Sequence, residues 1–309
     1  MRVVFMGTPE FAVASLKALI ESEDDVVAVV AQPDRPKGRG HHISEPPTKV
    51  LAMEHNITVL QPEKIKNQEF YDQLQYFNPD LICVTAYGKI LSKEILDLPP
   101  HGCINVHASL LPKYRGAAPI NWALVRGETI TGITTMLMDE GMDTGDMLLK
   151  KELEIADEDD AGVISKRLSE MGGALLIETI AQLKQGKLTP QKQDGSQATY
   201  APMLKKSDGE IDWTKPALEL HNLIRGMNPW PGTFTHFSGK SLKIFKSQVS
   251  QGQAKPGEVL ESSTNYLTVA TGDGALDILE LQIEGGKRLD AKSFLTGRKI
   301  PKGTILGHS

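Results

Sequence analysis

Through its first half the chain alternates short, unbroken apolar runs with longer stretches of helical period. RVVFM leads into PEFAVASLKALIES, with Pro9 at the first turn of the helix, and VVAVVA follows. TKVLAMEHN and NQEFYDQLQYF read as helices, and ITVL, DLICVTA, CINV, GITTMLM and DMLLKKELEI as strands. A long helix, ADEDDAGVISKRLSEMGGALLIETIAQLKQG, closes the region with acidic residues near its start, where the helix dipole favours them. Strands that are apolar throughout, rather than on alternate residues, are buried on both faces, which requires helices above and below a parallel sheet. The first part of the chain is therefore predicted to be a Rossmann-like α/β domain over 1–188. Ligands of such sheets bind outside the carboxyl ends of the strands.

The pattern then fades into TPQKQDGSQATYAP, a linker by composition over 189–206. Beyond one helix, PALELHNLIRGM, short alternating strands separated by turn residues take over (KSLKIFKSQV, GEVLES, YLTVAT, ALDILELQIE). Their spacing predicts a small β-barrel, OB-like, over 207–309. A chain of 309 residues accommodates both domains.

Charge and cysteine content narrow the classes. The net charge of −5 excludes a protein that coats nucleic acid indiscriminately; from Ser207 onward 12 Lys and Arg face 11 Asp and Glu, leaving room only for a local basic patch. Cys83 and Cys103 sit inside apolar segments and are expected to be reduced core thiols of a cytoplasmic protein. No Cys-x-x-Cys or His-Glu-x-x-His pattern supports a metal. No apolar run approaches the roughly 20 residues that span a bilayer. The start, MRVVFMGTPEF, breaks too early for a leader peptide and reads as strand then helix.

Gly7-Thr8-Pro9 between the first strand and helix invites comparison with the dinucleotide fingerprint, but Pro9 and Ala12 stand where its later glycines belong. Asp34, the candidate ribose carboxylate, lies in a loop rich in Arg and Pro. The stretch GCINVHASLLPKYR carries more. Asn105 and His107 fall on one side of a strand, at the end where an open sheet places its site. A strand end with a satisfied Asn and His is the plain alternative. SLLP offers irregular backbone groups that could grip a flat heterocycle, and MDEGMDTGD brings Asp139, Asp143 and Asp146 into one glycine-broken turn. Their spacing does not match an EF-hand loop. An amide donor, a titrating ring and a carboxylate suit addition of a nucleophile to a carbonyl followed by loss of a leaving group. No Ser, Cys or Lys beside them is evidently activated, which favours direct transfer.

NVHASLLPKYRGAAPI followed by DEGMDTGD resembles the signature of the folate-dependent formyltransferases. Phe5 to Ala12 (FMGTPEFA), Gln32 to Gly40 (QPDRPKGRG) and Ala86 to Gly88 (AYG) extend the likeness, and Thr199 to Trp213 and Asn228 to Gly232 (NPWPG) match the members that act on charged tRNA. The resemblance implies catalytic roles for Asn105, His107 and Asp143 and a folate pocket bordered by Ser109, Leu110, Leu111 and Pro112. It also implies contact of Arg35, Lys37 and Arg39 with the acceptor end of tRNA. His41 and His42 depart from the lysines common there, which weakens the grip on phosphate. The implied reaction moves the formyl group of 10-formyltetrahydrofolate, a co-substrate, to the α-amino group of methionine on initiator methionyl-tRNA for translation initiation, with no metal. The alternative acceptor is a small amine such as an amino sugar nucleotide. A monomer is expected. Lys240, Lys243 and Lys246 are candidates for the tRNA face of the second domain, and Trp230 is expected to pack.

Overall fold

The first strand, β1 (Arg2–Gly7), is buried along all but its first residue, and in the computed structural model, which describes residues 1–37, 42–263 and 265–307, it is an interior strand of a seven-stranded sheet. Along the chain follow α1 (Glu10–Ile20), β2 (Asp25–Val30), β3 (Arg35–Lys37), β4 (His42–Ser44), α2 (Pro47–Glu54), β5 (Val59–Leu60), α3 (Gln68–Tyr76), β6 (Leu81–Thr85), α4 (Lys93–Leu96), β7 (Cys103–His107), β8 (Arg115–Gly116) and α5 (Pro119–Val125). Then come β9 (Ile130–Leu137), β10 (Met147–Glu154), α6 (Ala161–Lys184), β11 (Tyr200–Ala201), α7 (Ala217–Met227), β12 (Thr233–Phe237), β13 (Lys240–Ser250), β14 (Val259–Ser262), β15 (Leu267–Ala270), β16 (Ala275–Ile283), β17 (Leu289–Asp290) and α8 (Ala291–Gly297).

Two compact units result, neither continuous in sequence. The first holds residues 1–119, 130–154 and 165–201; the second holds 120–129, 155–164 and 202–309. The 189–206 segment is thus divided between them. Within the first unit it makes specific pairings, Gln191 with Met147 and Tyr200–Ala201 with Arg115–Gly116.

The sheet of the first unit runs β10-β9-β7-β6-β1-β2-β5. β7, β6, β1, β2 and β5 are parallel, and β6 and most of β1 are buried without interruption, as in a sheet covered on both faces. β9 and β10 are antiparallel additions, and β10, at the edge, carries Lys150, Lys151 and Glu152, charges that blunt an open strand. Helix starts follow local chemistry: Pro47 opens α2, and the Asn67 side chain accepts from the Phe70 N–H to cap α3. α6 approaches α1 closely enough that a Cβ on Gly173 would lie 2.7 Å from the Ala14 carbonyl oxygen. One core layer gathers Val4, Met6, Val30, Phe70, Leu74, Ile82, Val84 and Cys103.

The Arg- and Pro-rich segment after Asp34, expected as a loop, differs: Arg35–Lys37 pair antiparallel with His42–Ser44 as a short ribbon. Pro36 is tolerated because such a ribbon has open edges.

The second unit is an antiparallel sheet, β12-β13-β16-β15-β14 with β17 on β16, packed with α7 and α8 around Trp213, Leu220, Leu242, Ile244, Leu276, Ile278 and Phe294. The Trp213 indole N–H donates to Thr235 Oγ1 at 3.0 Å, satisfying its buried polar edge. A register irregularity at Lys246 breaks the alternation of β13, and Lys240, Lys243 and Lys246 are all exposed. Trp230, expected to pack, is 56% exposed. Among the described residues no helix is long and apolar enough to cross a membrane, and no group of three or more His, Cys, Asp or Glu is placed to hold a metal ion.

Candidate active site

β7 presents Asn105 and His107 at its carboxyl end, on one side of the pleat. In the sheet Asn105 lies between Val84 of β6 and Met136 of β9, and His107 opposite Thr134. The half-buried Asn105 amide makes no side-chain hydrogen bond among the described residues, so its donor is open to a ligand. His107 is 6% exposed, and its Nε2 lies 3.0 Å from the Tyr114 carbonyl oxygen. A carbonyl only accepts, so Nε2 carries the proton and donates it. Nδ1 is thereby left facing Asp143, with Oδ1 at 3.6 Å, an ion-pair distance longer than a hydrogen bond.

Asp143 is held from several sides. Its Oδ2 accepts from the Gly116 N–H at 2.7 Å, and its backbone adopts φ +55°, in the left-handed region that aspartate tolerates better than most residues. Gln193 Nε2 donates to the carbonyl oxygens of both Asp143 and Gly145, each at 2.8 Å. Gly116 itself sits at φ +118°, where a Cβ would lie 2.6 Å from the Ala201 carbonyl oxygen, so the β8–β11 pairing requires glycine. The other two aspartates of the turn have different roles. Asp139 Oδ1 accepts from the Gly141 N–H and the Thr144 hydroxyl, closing its own turn, and Asp146 offers its backbone carbonyl to the Leu137 N–H. Of the three, Asp143 is the one paired with His107.

The Ser109–Pro112 segment wraps over β9. Thr134 Oγ1 donates to the Ser109 carbonyl at 2.7 Å and accepts from the Leu111 N–H at 3.1 Å. Lys150 Nζ donates to the Leu111 carbonyl at 2.5 Å, and burial pushes that ammonium below its ordinary pKa. Leu111 packs with Met136 and Met147, with Met138 beside them, an apolar wall near Asn105's strand partner. Leu110 and Pro112 are half-buried.

Arg35 is exposed on β3, and Lys37 pairs through its backbone with His42. Arg39 and His41 lie outside the described residues. Asp34 is engaged by the protein itself: Gln61 at 2.7 Å and Lys49 at 2.6 Å hold its carboxyl below the usual range. A cleft of about 1600 Å³ in the second unit, lined by His221, Arg225, Asp160 and Lys246 among others, contains none of the three catalytic candidates. Sequence reasoning missed Gln193, Tyr114 and Lys150 as parts of this site. Tyr114 stands within the NVHASLLPKYRGAAPI motif, whereas nothing in the sequence marks Gln193 or Lys150.

The Formyl transferase family model matches residues 1–180, and the model for the Formyl transferase C-terminal domain matches 203–299. The methionyl-tRNA formyltransferase of Caldanaerobacter subterraneus subsp. tengcongensis is 55% identical over 309 residues, covering 99% of this chain and 100% of its own. That of Citrifermentans bemidjiense is 52% identical, covering 99% of this chain and 96% of its own. Among solved structures, the sugar 3N-formyl transferase WlaRD aligns over 93% of this chain and 99% of its own with a TM-score of 0.68 at 19% identity, a likeness of fold. Full-length identity above one half, on top of both domain matches, places the chain in the formyl transferase family, among the methionyl-tRNA formyltransferases.

Proposed function

We propose that this chain transfers the formyl group of 10-formyltetrahydrofolate to the α-amino group of methionine on initiator tRNA, with Asn105, His107 and Asp143 as its catalytic residues. The observation that carries the residue assignment is the orientation of His107: Nε2 spent on the Tyr114 carbonyl, Nδ1 turned toward Asp143, beside an uncommitted Asn105 amide.

The neutral amine attacks the formyl carbon, the new C–N bond forms, and negative charge collects on the formyl oxygen. The Asn105 amide donates to that oxygen, with His107 oriented beside it by Tyr114 and Asp143; losing an oxyanion donor typically slows a reaction about 100- to 1,000-fold. Collapse of the intermediate breaks the bond from carbon to N10 of the folate. The proton released by the amine is collected by Asp143, through a water, and returned to N10 as it leaves. No covalent enzyme intermediate is needed.

Ser109, Leu110, Leu111 and Pro112 border the folate ring, with the Leu111–Met136–Met147 wall as its apolar surface. Arg35, Lys37 and Arg39 meet the acceptor end of the tRNA; with histidines at 41 and 42, fewer phosphates are neutralised and the salt dependence of binding is shallow. The test is to incubate the protein with formyl-folate and either charged initiator tRNA or free amines, including an amino sugar nucleotide. Formylation of the methionyl-tRNA is expected. Formylation of the free amines with the tRNA untouched would refute the assignment of acceptor.

A further inference from the structure

Gln193 lies in a stretch whose composition marks it as a linker, yet all of its amide capacity is committed beside the catalytic aspartate. Its Oε1 accepts from Nε and Nη2 of Arg115, at 3.0 and 2.7 Å, while its Nε2 donates to the carbonyls of Asp143 and Gly145. Arg115 is 6% exposed, and a buried guanidinium needs acceptors. Gln193 supplies one that takes two of its N–H groups and leaves its own NH₂ for the aspartate turn. We propose that Gln193 is a positioning residue for formyl transfer: it clamps the backbone of the Asp143–Gly145 turn to Arg115, and so holds the Asp143 carboxylate against His107.

The geometry gives the reason. Asp143 is a non-glycine residue in the left-handed region, which L side chains seldom adopt. Gly145 follows two residues on, and residues 140–142 before it are exposed. A turn of that kind relaxes unless something outside it binds its carbonyls. Gln193 binds two of them, on either side of Thr144. Arg115 precedes Gly116, whose N–H holds the Asp143 carboxylate, and follows Tyr114, whose carbonyl orients His107. One side chain therefore ties the turn bearing the carboxylate to the segment that orients the imidazole. The 3.6 Å between His107 and Asp143 is too long for a direct hydrogen bond to maintain it, so it is set by the Gly116 N–H on the carboxylate together with this tie on the backbone of the turn.

The inference rests on the roles assigned above to Asp143 and His107. Glu is the discriminating substitution. Gln193→Glu keeps an acceptor for Arg115, now as an ion pair, and replaces the NH₂ that grips the two carbonyls with an oxygen that repels them. Gln193→Met, of similar length, removes both ends and serves as the second variant. Each is expected to lower kcat for formylation of charged initiator tRNA at least ~10-fold, with KM for formyl-folate and tRNA within about threefold of the parent. The melting temperature should be unchanged in Gln193→Glu; Gln193→Met, which also strips the buried guanidinium of this acceptor, is compared at a temperature where it remains fully folded. In an Asp143→Ala background, measured under single turnover with enzyme in excess, Gln193→Glu should add no further loss, because the group it positions is gone. Parental kcat in either variant, a change confined to KM, a loss that tracks a lower melting temperature, or an undiminished penalty in the Asp143→Ala background would each overturn the proposal. Asp143→Ala alone separates the two levels: if it retains turnover, the catalytic reading fails; if it is inactive while the Gln193 variants are not, only the positioning role fails.

Discussion

His107 Nδ1 stands 3.6 Å from Asp143 Oδ1, although the two residues come from different elements, one ending β7 and the other in the turn between β9 and β10. The turn that follows β9 starts beside the amino-terminal end of β7, Leu137 lying opposite Ile104, and Asp143 within it comes back to the imidazole, where the Gly116 N–H holds its carboxylate. Asp143→Asn retains an acceptor for the Gly116 N–H and so preserves the turn while removing the charge. It should lower turnover by about 100- to 10,000-fold, the range of a general acid–base group. Rapid-quench measurement of formyl-methionyl-tRNA with saturating substrates checks it; a loss under tenfold would remove Asp143 from the mechanism.

Asn105 has the opposite relation to its surroundings, its side chain making no hydrogen bond among the described residues. Asn105→Ala leaves no buried group unsatisfied, so the melting temperature should stay near that of the parent. Turnover should drop about 100- to 1,000-fold through loss of the oxyanion donor. A fall in melting temperature that accounts for the lost activity would instead mark Asn105 as structural.

Gly116→Ala should harm both stability and catalysis. The added Cβ would meet the Ala201 carbonyl oxygen at 2.6 Å, forcing β8 away from β11 and moving the N–H that holds Asp143. A destabilisation of about 1–3 kcal/mol is expected in urea titrations, together with reduced kcat. A variant with parental stability and kcat would show that the β8–β11 pairing is dispensable.

His221 provides a pH signature in the second unit. Burial pushes its pKa below the ordinary 6.5, outweighing the Asp157 backbone contact that favours the charged ring; Nδ1 meets Ser247 Oγ at 3.1 Å. The folded state therefore binds the proton less readily than the unfolded chain does. Its contribution to stability is complete above pH 6.5 and is lost as pH falls from there toward the folded-state value. The stability difference between the parent and His221→Asn should accordingly be constant above about pH 7.5 and shrink at pH 6 and below. Denaturant midpoints across pH 5–8 give the answer, and a pH-independent difference would contradict a neutral, buried ring.

The two thiols are predicted to be inert. Burial drives the Cys103 thiol up to about 12 and Cys83 higher still, so neither supplies thiolate at neutral pH. Iodoacetamide at pH 8 should modify both only after unfolding. Rapid labelling of the folded protein would show that the strands carrying them open readily.

Much of the fold was legible because its cause is local. β1, β6 and β7 read as buried strands from their apolar runs, and the period of two places Asn105 and His107 on one side from sequence alone. The ribbon of Arg35–Lys37 with His42–Ser44 was not legible, since prolines and charges there resemble any loop. Nor was the antiparallel course of β9 and β10, because a strand's composition does not encode its direction. Within the site, the residue types were written in the chain, but not which of Asp139, Asp143 and Asp146 meets the imidazole, nor that Gln193 grips the chosen turn. Periodicity and capping act between near neighbours, so the amino-acid order alone determined the elements and the chemistry available at their ends. Which polar groups satisfy one another across tens of residues depends on how those elements pair in space, and that only the tertiary structure decided.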